Sequence, residues 1–337
     1  MIMKLAIWIG IVLCSTYLLF PCQAHAETHY FNDEEEIKSA LALEGWLSQA
    51  DAKWQISFPY VTGTGQPGTI QSRLDFQKIN SPVIIYTAGG RVNGAYSFDV
   101  LYGTGTISGG RGIDTDRFIP DSGSAFDFSQ STNDIRGNVR EWGINLYYNN
   151  KRFGSPQAGS WGMVLGYLHY QDSLRMTNGI QTLPYNFDGL IQPAGPFPGL
   201  NSTYNFTWNL LRIGALYQPK LTEQLSLSGT VSIYPYASYE GDGFWNLRAG
   251  TNPSNFRTQS PNFIQTASAA YGYDASLGLT YLISENLELT VGYRYFYLYA
   301  RNGTDTTYFS DGSEYQDRLD WVTVTRQGTY AAAVLKF

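Results

Sequence analysis

Apolar and polar positions alternate with a period of two through most of the chain. Leu287, Leu289, Val291, Tyr293, Tyr295, Tyr297 and Tyr299 share one phase, and Glu288, Thr290, Gly292 and Arg294 share the other. Tyr271, Tyr273, Ala275, Leu277, Leu279 and Tyr281 oppose Gly272, Asp274, Ser276, Gly278 and Thr280. The same alternation runs through Tyr96–Tyr102, Trp142–Tyr148 and Leu225–Ile233. Side chains on a strand point to opposite faces in turn, so this pattern predicts antiparallel strands with one apolar face. Ten segments carry it, at roughly 52–60, 69–92, 95–106, 134–149, 160–177, 203–219, 224–238, 266–284, 287–301 and 321–337.

The connections divide into two sets. Asn93-Gly94, Asn149–Ser160, Lys220–Gln224 and Glu285-Asn286 are the short ones, while Thr62–Gly68, Ile107–Asn133, Asn178–Ser202, Tyr239–Gln265 and Asn302–Asp320 are the long ones. Tight turns at one end and long polar loops at the other are the asymmetry of a transmembrane β-barrel. An even strand number closes such a barrel with both termini on the periplasmic side. Segments longer than the roughly nine to eleven residues needed to span should carry their loops on a raised rim. The expected fold is therefore all-β: a ten-stranded antiparallel transmembrane barrel with long extracellular loops, occupying residues 52–337.

The first residues fit an exported chain. Lys4, the apolar run Leu5–Phe20 and Ala24-His25-Ala26 make a secretory signal over residues 1–26. Pro21 stands where a lipidated Cys22 would need a small neighbour. Removing the signal removes Cys14 and Cys22, the chain's 2 cysteines, so disulfides and thiolate chemistry are excluded. Residues 27–51 fall outside the strand count. Asp33 suits a helix cap there, with Glu34, Glu35 and Glu36 in the first turn and Ile37, Ala40 and Leu41 as a narrow stripe, so the expectation is a periplasmic leader, either a short helix or unstructured.

Composition sharpens the barrel reading. Of 337 residues, 15% are charged and 15% aromatic, with 26 Tyr and 35 Gly. A wall facing lipid needs few charges, and tyrosines suit the membrane interface, where a ring lies in the apolar zone and a hydroxyl in the wet one. Tyr147, Tyr148, Tyr271, Tyr273 and Tyr281 are expected in such girdles. A net charge of −6 argues against a basic nucleic-acid binder, and 3 His with 2 Cys exclude a Cys/His metal framework. On the polar phase, Asp75, Asp99, Glu141, Arg212, Asp274 and Arg294 are expected to point inward. They suit either a network filling a narrow lumen or a small-solute or ion channel.

The chemistry concentrates in the second long loop, at Asp114-Thr115-Asp116. Residues two apart in an extended segment face the same way, so both carboxylates converge on one water or one cation. Phe118 stands where a calcium loop needs another oxygen ligand, which argues against a metal.

At these residues the chain resembles the omptins, ten-stranded outer-membrane proteases. The resemblance covers most of the barrel. It rests on Ser72-Arg-Leu-Asp-Phe76, Gly109-Gly-Arg-Gly-Ile-Asp-Thr-Asp116, Tyr170-Gln-Asp-Ser173 and the final strand ending on Phe337. It implies that Asp114 and Asp116 match the family's paired catalytic aspartates. It implies that Asp242, in Tyr239-Glu-Gly-Asp-Gly-Phe244, matches the aspartate of an Asp-x-His pair, and that Glu240 matches an acid that binds basic substrate residues. The histidine position holds Phe244. Imidazole is the group suited to taking a proton from water near neutral pH, and Phe cannot take one. His169, in phase with Trp161, Met163, Leu165 and Tyr167, is expected to face lipid or the rim.

The resemblance also implies an integral outer-membrane location and contact with lipid and lipopolysaccharide. The barrel-assembly machinery is expected to engage the last strand at Phe337, and no cofactor is expected. Outer-membrane proteins of the Protochlamydia type belong to the same omptin-like group and are described as porin-like. The expected function is a surface, envelope or small-solute role without standard omptin proteolysis. The alternative is an aspartyl-type endopeptidase using Asp114, Asp116 and Asp242.

Overall fold

A computed structural model describes residues 39–91, 96–150 and 160–337. The expected signal and the capped helix at Asp33 lie outside the described residues, as does the Asn93-Gly94 turn.

The strands are β1 (Ser39–Val61), β2 (Pro67–Arg91), β3 (Tyr96–Ile107), β4 (Gly109–Pro120), β5 (Phe126–Asn150) and β6 (Ser160–Leu183). A small hairpin, β7 (Tyr185–Phe187) and β8 (Leu190–Gln192), precedes β9 (Gly195–Gln218) and β10 (Leu225–Phe244). The last three are β11 (Phe263–Ser284), β12 (Leu287–Tyr308) and β13 (Glu314–Lys336). All pairings in the large sheet are antiparallel, and β1 pairs with both β2 and β13. β3 and β4 both lie between β2 and β5, one on each half of their length, with an interruption at Ser108. They are two halves of one wall position, so the sheet is a ring of ten.

Two expected boundaries need correction. β1 starts at Ser39, so residues 39–51 are barrel wall and the leader cannot extend to 51. The inner face there begins with small side chains, Ala40 and Ala42, while Leu41, Leu43 and Leu47 lie on the outer face. Apolar residues on both faces hid the period of two. The second long loop is also mostly strand: β4 and the start of β5 occupy 109–120 and 126–133. The other long loops shrink likewise, because β10 runs to Phe244 and β12 to Tyr308. These extensions form the raised rim.

The outer face shows where the membrane lies. Along β5, Asp134, Arg136, Asn138 and Arg140 are exposed outward, followed by Trp142, Ile144, Leu146 and Tyr148. Across β9 the change falls between Asn209 and Leu211. The belt thus ends near Trp142, and everything above it on the strands is extracellular. Tyr271 packs on Tyr299 at 5.3 Å, and Tyr273 on Tyr297 at 5.4 Å, as a girdle at its upper edge. Tyr147 is not in a girdle: it is buried inside, donating to Asp99 at 2.8 Å. His169 is on the belt, stacked on Trp142 at 5.4 Å with Nδ1 2.9 Å from Asn209.

A layer of buried side chains fills the lumen at mid-height. Arg326 is fully buried there and donates two bonds of 2.8 Å to Asp172. It also donates to Ser48 at 2.8 Å, to Tyr170 at 3.1 Å and to Ser81. Trp46, Tyr170 and Phe296 surround this group, and Trp208, Phe206 and Tyr204 continue the packed layer upward. Below it, Arg294 pairs with Glu44 at 3.0 Å and Arg212 with Asp274 at 3.1 Å, around a cavity of about 140 Å³. Five of the six expected inward charges are therefore inside. Asp75 is the exception, lying on the opposite face from Leu74 and Phe76 and paired with Arg73 at 2.5 Å.

Candidate functional site

Above the closed layer a cavity of about 590 Å³ opens between the strand extensions. Its floor and walls are aromatic, with Trp54, Trp245, Phe263, Phe197, Phe309 and Tyr315 among the lining residues. Two pairs of carboxyl groups line it.

The first pair is on β4. Asp114 stands opposite Leu74 and Ser131, and Asp116 opposite Ser72 and Ser129. The three serines are small, which leaves room for both carboxylates on the inner face. Asn133 follows on the same face, beside Gly112. A Cβ at Gly112 would lie 2.4 Å from the Asn133 amide oxygen, so the absence of a side chain there makes space for the amide.

The second pair was not foreseen. Asp305 on β12 and Asp317 on β13 are direct cross-strand partners, and both line the cavity. Like charges directly opposite on a sheet repel each other. Arg248, from the β10–β11 connection, is the one cationic side chain among the described lining residues. It lies 5.8 Å from the Phe256 ring centroid.

These groups lie above the membrane belt, and burial dominates their acidity. It raises Asp114 to about 7, helped by the neighbouring charge of Asp116 and opposed by Arg248. Burial raises Asp305 to about 6, against hydrogen bonds with Gln265 and Thr307. Asp317 rises to about 7 through burial and the charge of Asp305. The cavity is thus rich in carboxyl groups that no cation offsets fully.

Of the four residues expected at the site, the structure brings Asp114 and Asp116 together and separates the other two. Tyr239 and Gly241 on β10 are buried toward the lumen, and Gly243 lies against the buried Phe263 ring. Glu240, Asp242 and Phe244 share the opposite phase. Asp242 accepts a bond of 2.9 Å from Asn205, which lies on the outer face between buried Tyr204 and Phe206. Asp242 therefore belongs to the polar collar outside the wall, and Glu240 is exposed beside it. No histidine among the described residues lines the cavity. No three His, Cys, Asp or Glu side chains among the described residues converge as metal ligands must. A signal for the missed pair was present in Asp311-Gly312, a hairpin turn sequence. Asp305 and Asp317 are equidistant from Asp311, six residues on either side (311 − 305 and 317 − 311).

Comparison with known proteins follows the fold. A family model described as Protochlamydia outer membrane protein matches residues 44–327. No curated protein matches the chain. Among solved structures, the outer membrane protease OmpT from Escherichia coli superposes with a TM-score of 0.69 at 14% identity, covering 92% of this chain and 99% of that one. The translocator domain of the autotransporter NalP from Neisseria meningitidis gives a TM-score of 0.32 at 11% identity, covering 89% of each chain. Ail from Yersinia pestis, in complex with a heparin analogue, gives 0.29 at 9% identity, covering 89% of this chain and 99% of that one. The last two scores are too low to bear on this chain.

Proposed function

The chain belongs to the Protochlamydia outer membrane protein family, an integral outer-membrane barrel with the fold of OmpT, and from that premise we propose that it is a non-proteolytic surface protein whose work is done in a blind extracellular cavity. The observation that carries this reading is the composition of the cavity. It holds Asp114, Asp116, Asp305 and Asp317, while Asp242 and Phe244 lie in the opposite strand phase. Omptin-type hydrolysis needs an imidazole within hydrogen-bond reach of the attacking water. The described histidine, His169, sits on the belt against Trp142. A small-solute channel is disfavoured by the buried layer around Arg326, Tyr170 and Trp208.

The competing reading is an aspartyl-type peptidase. Asp114, raised to about 7, supplies a protonated carboxyl group next to Asp116, which is half of what such chemistry needs. The test is incubation of refolded protein, with and without lipopolysaccharide, with dibasic fluorogenic peptides from pH 4 to 8. No cleavage above a no-protein control is expected. Cleavage abolished by Asp116→Asn would establish the peptidase instead.

A further inference from the structure

We propose that the extracellular cavity binds a linear diamine or polyamine, one ammonium group at Asp114 and Asp116 and another at Asp305 and Asp317. This deepens the blind-cavity reading and rests on it.

Charge is the first ground. Four carboxyl groups line the cavity against one guanidinium, that of Arg248. They are arranged as two pairs on different walls, and no three of them converge on a point where a metal ion would sit. A ligand matching that pattern has two separated positive ends.

Unmet hydrogen-bonding capacity is the second ground, and it is independent of the acids. Asn133 lines the cavity, is 8% exposed, and its Oδ1 has no partner among the described residues. It lies on the same inner face as Asp114. An unsatisfied buried acceptor carries an uncompensated desolvation cost, so such atoms are ordinarily matched. An ammonium group brings three donors and no acceptor, which suits two carboxylates and an amide oxygen.

Shape is the third ground. On β1, which stands between the two pairs in the ring, the cavity is lined by Trp54, Ile56 and Phe58. Ring faces accept methylene groups through apolar contact and attract the adjacent ammonium. β4 and β13 are three wall positions apart in the ring, counted through β2 and β1. Three interstrand steps of roughly 4.8 Å give on the order of 15 Å between backbones. Two aspartate side chains reaching inward by about 2.5 Å each leave on the order of 10 Å. That is the span of an extended diamine with about eight carbons, or of a triamine.

The experiment is calorimetric titration of the full chain, refolded into detergent micelles, near pH 8. The probes are linear α,ω-diamines of about four to twelve carbons, with monoamines of equal length as controls. Affinity is expected to peak at an intermediate length, at least about tenfold tighter than the matching monoamine, because the second ammonium binds intramolecularly. Asp116→Asn and Asp317→Asn, checked by thermal melting, should each reduce the best diamine to monoamine level. Gly112→Ala, which displaces the Asn133 amide, should weaken both probes at the β4 end. Equal binding of diamines and monoamines, or an unchanged diamine affinity in folded Asp317→Asn, overturns the proposal. Peptide cleavage would overturn the non-proteolytic reading, whereas absence of amine binding without cleavage removes this proposal alone.

Discussion

Replacing Asp172 with Ala tests how the buried ion pair of the mid-height layer contributes to stability. Asp172 and Arg326 are both fully buried, joined by two bonds of 2.8 Å, and Tyr170 adds a bond of 2.6 Å to the same carboxylate. Removing the carboxylate leaves a guanidinium among Trp46, Tyr170 and Phe296 with neutral partners only. Breaking a buried pair on one side costs about 3–5 kcal/mol, since the remaining charge stays desolvated. The pair itself is close to neutral against an apolar replacement, so Asp172→Leu with Arg326→Met should fall within about 1–2 kcal/mol of the parent. Urea unfolding of vesicle-embedded protein reads this directly, because the fluorescence of Trp46 and Trp208 reports the same layer. A loss near 4 kcal/mol shifts the folded-to-unfolded ratio by roughly a thousandfold. A single variant within about 1 kcal/mol of the parent, or one equal to the double variant, would refute the reasoning.

Three further outcomes follow from the upper half. Phe244→His, which restores the residue type omptins carry, should produce no peptide cleavage in the fluorogenic assay, because position 244 shares the outward phase of Asp242. Gly241→Ala should destabilise by about 1–3 kcal/mol in the same unfolding experiment, because its Cβ meets the Tyr239 hydroxyl at 2.4 Å and that of Tyr204 at 2.6 Å. Asp317 is raised from 3.8 to about 7 by burial and by Asp305, so ionising it disfavours the native state. The cavity's other charged groups are Asp305, Asp114, Asp116 and Arg248. Stability from this group is therefore greatest near pH 4 and falls as pH rises toward 7. Asp317→Asn should gain on the order of 1 kcal/mol at pH 8 and nothing at pH 4, read from urea midpoints at each pH.

The wall of this barrel was legible in the chain because lipid on one side enforces alternation. Trp142, Ile144, Leu146 and Tyr148 have no other reason to recur every second residue, and they face outward as expected. β1 was not legible over residues 39–51, where Ala40 and Ala42 inside and Leu41 and Leu43 outside erase the contrast. Above the membrane the rule disappears altogether. Arg111, Thr115 and Arg117 take the outward phase on β4, so strand and loop read alike there. That is why Ile107–Asn133 looked like a loop and is a pair of strands. Asp114 and Asp116 were legible because a two-residue spacing fixes their common face. Asp242 was placed by likeness of motif, and the phase of its neighbours Tyr239 and Gly241 sends it to the outer collar. Asp305 and Asp317 meet only through a hairpin register, which a scan for local motifs does not test.

The central claim is that the lumen is shut beneath a blind extracellular cavity. Planar-bilayer recording of the refolded protein tests it most directly. Insertion without conductance steps in the parent is the expected result, since the lumen carries a layer of fully buried side chains that includes Arg326, Tyr170 and Trp208. Regular unitary steps in the parent, with an amplitude changed by Arg326→Ala, would contradict the claim and make the barrel a channel.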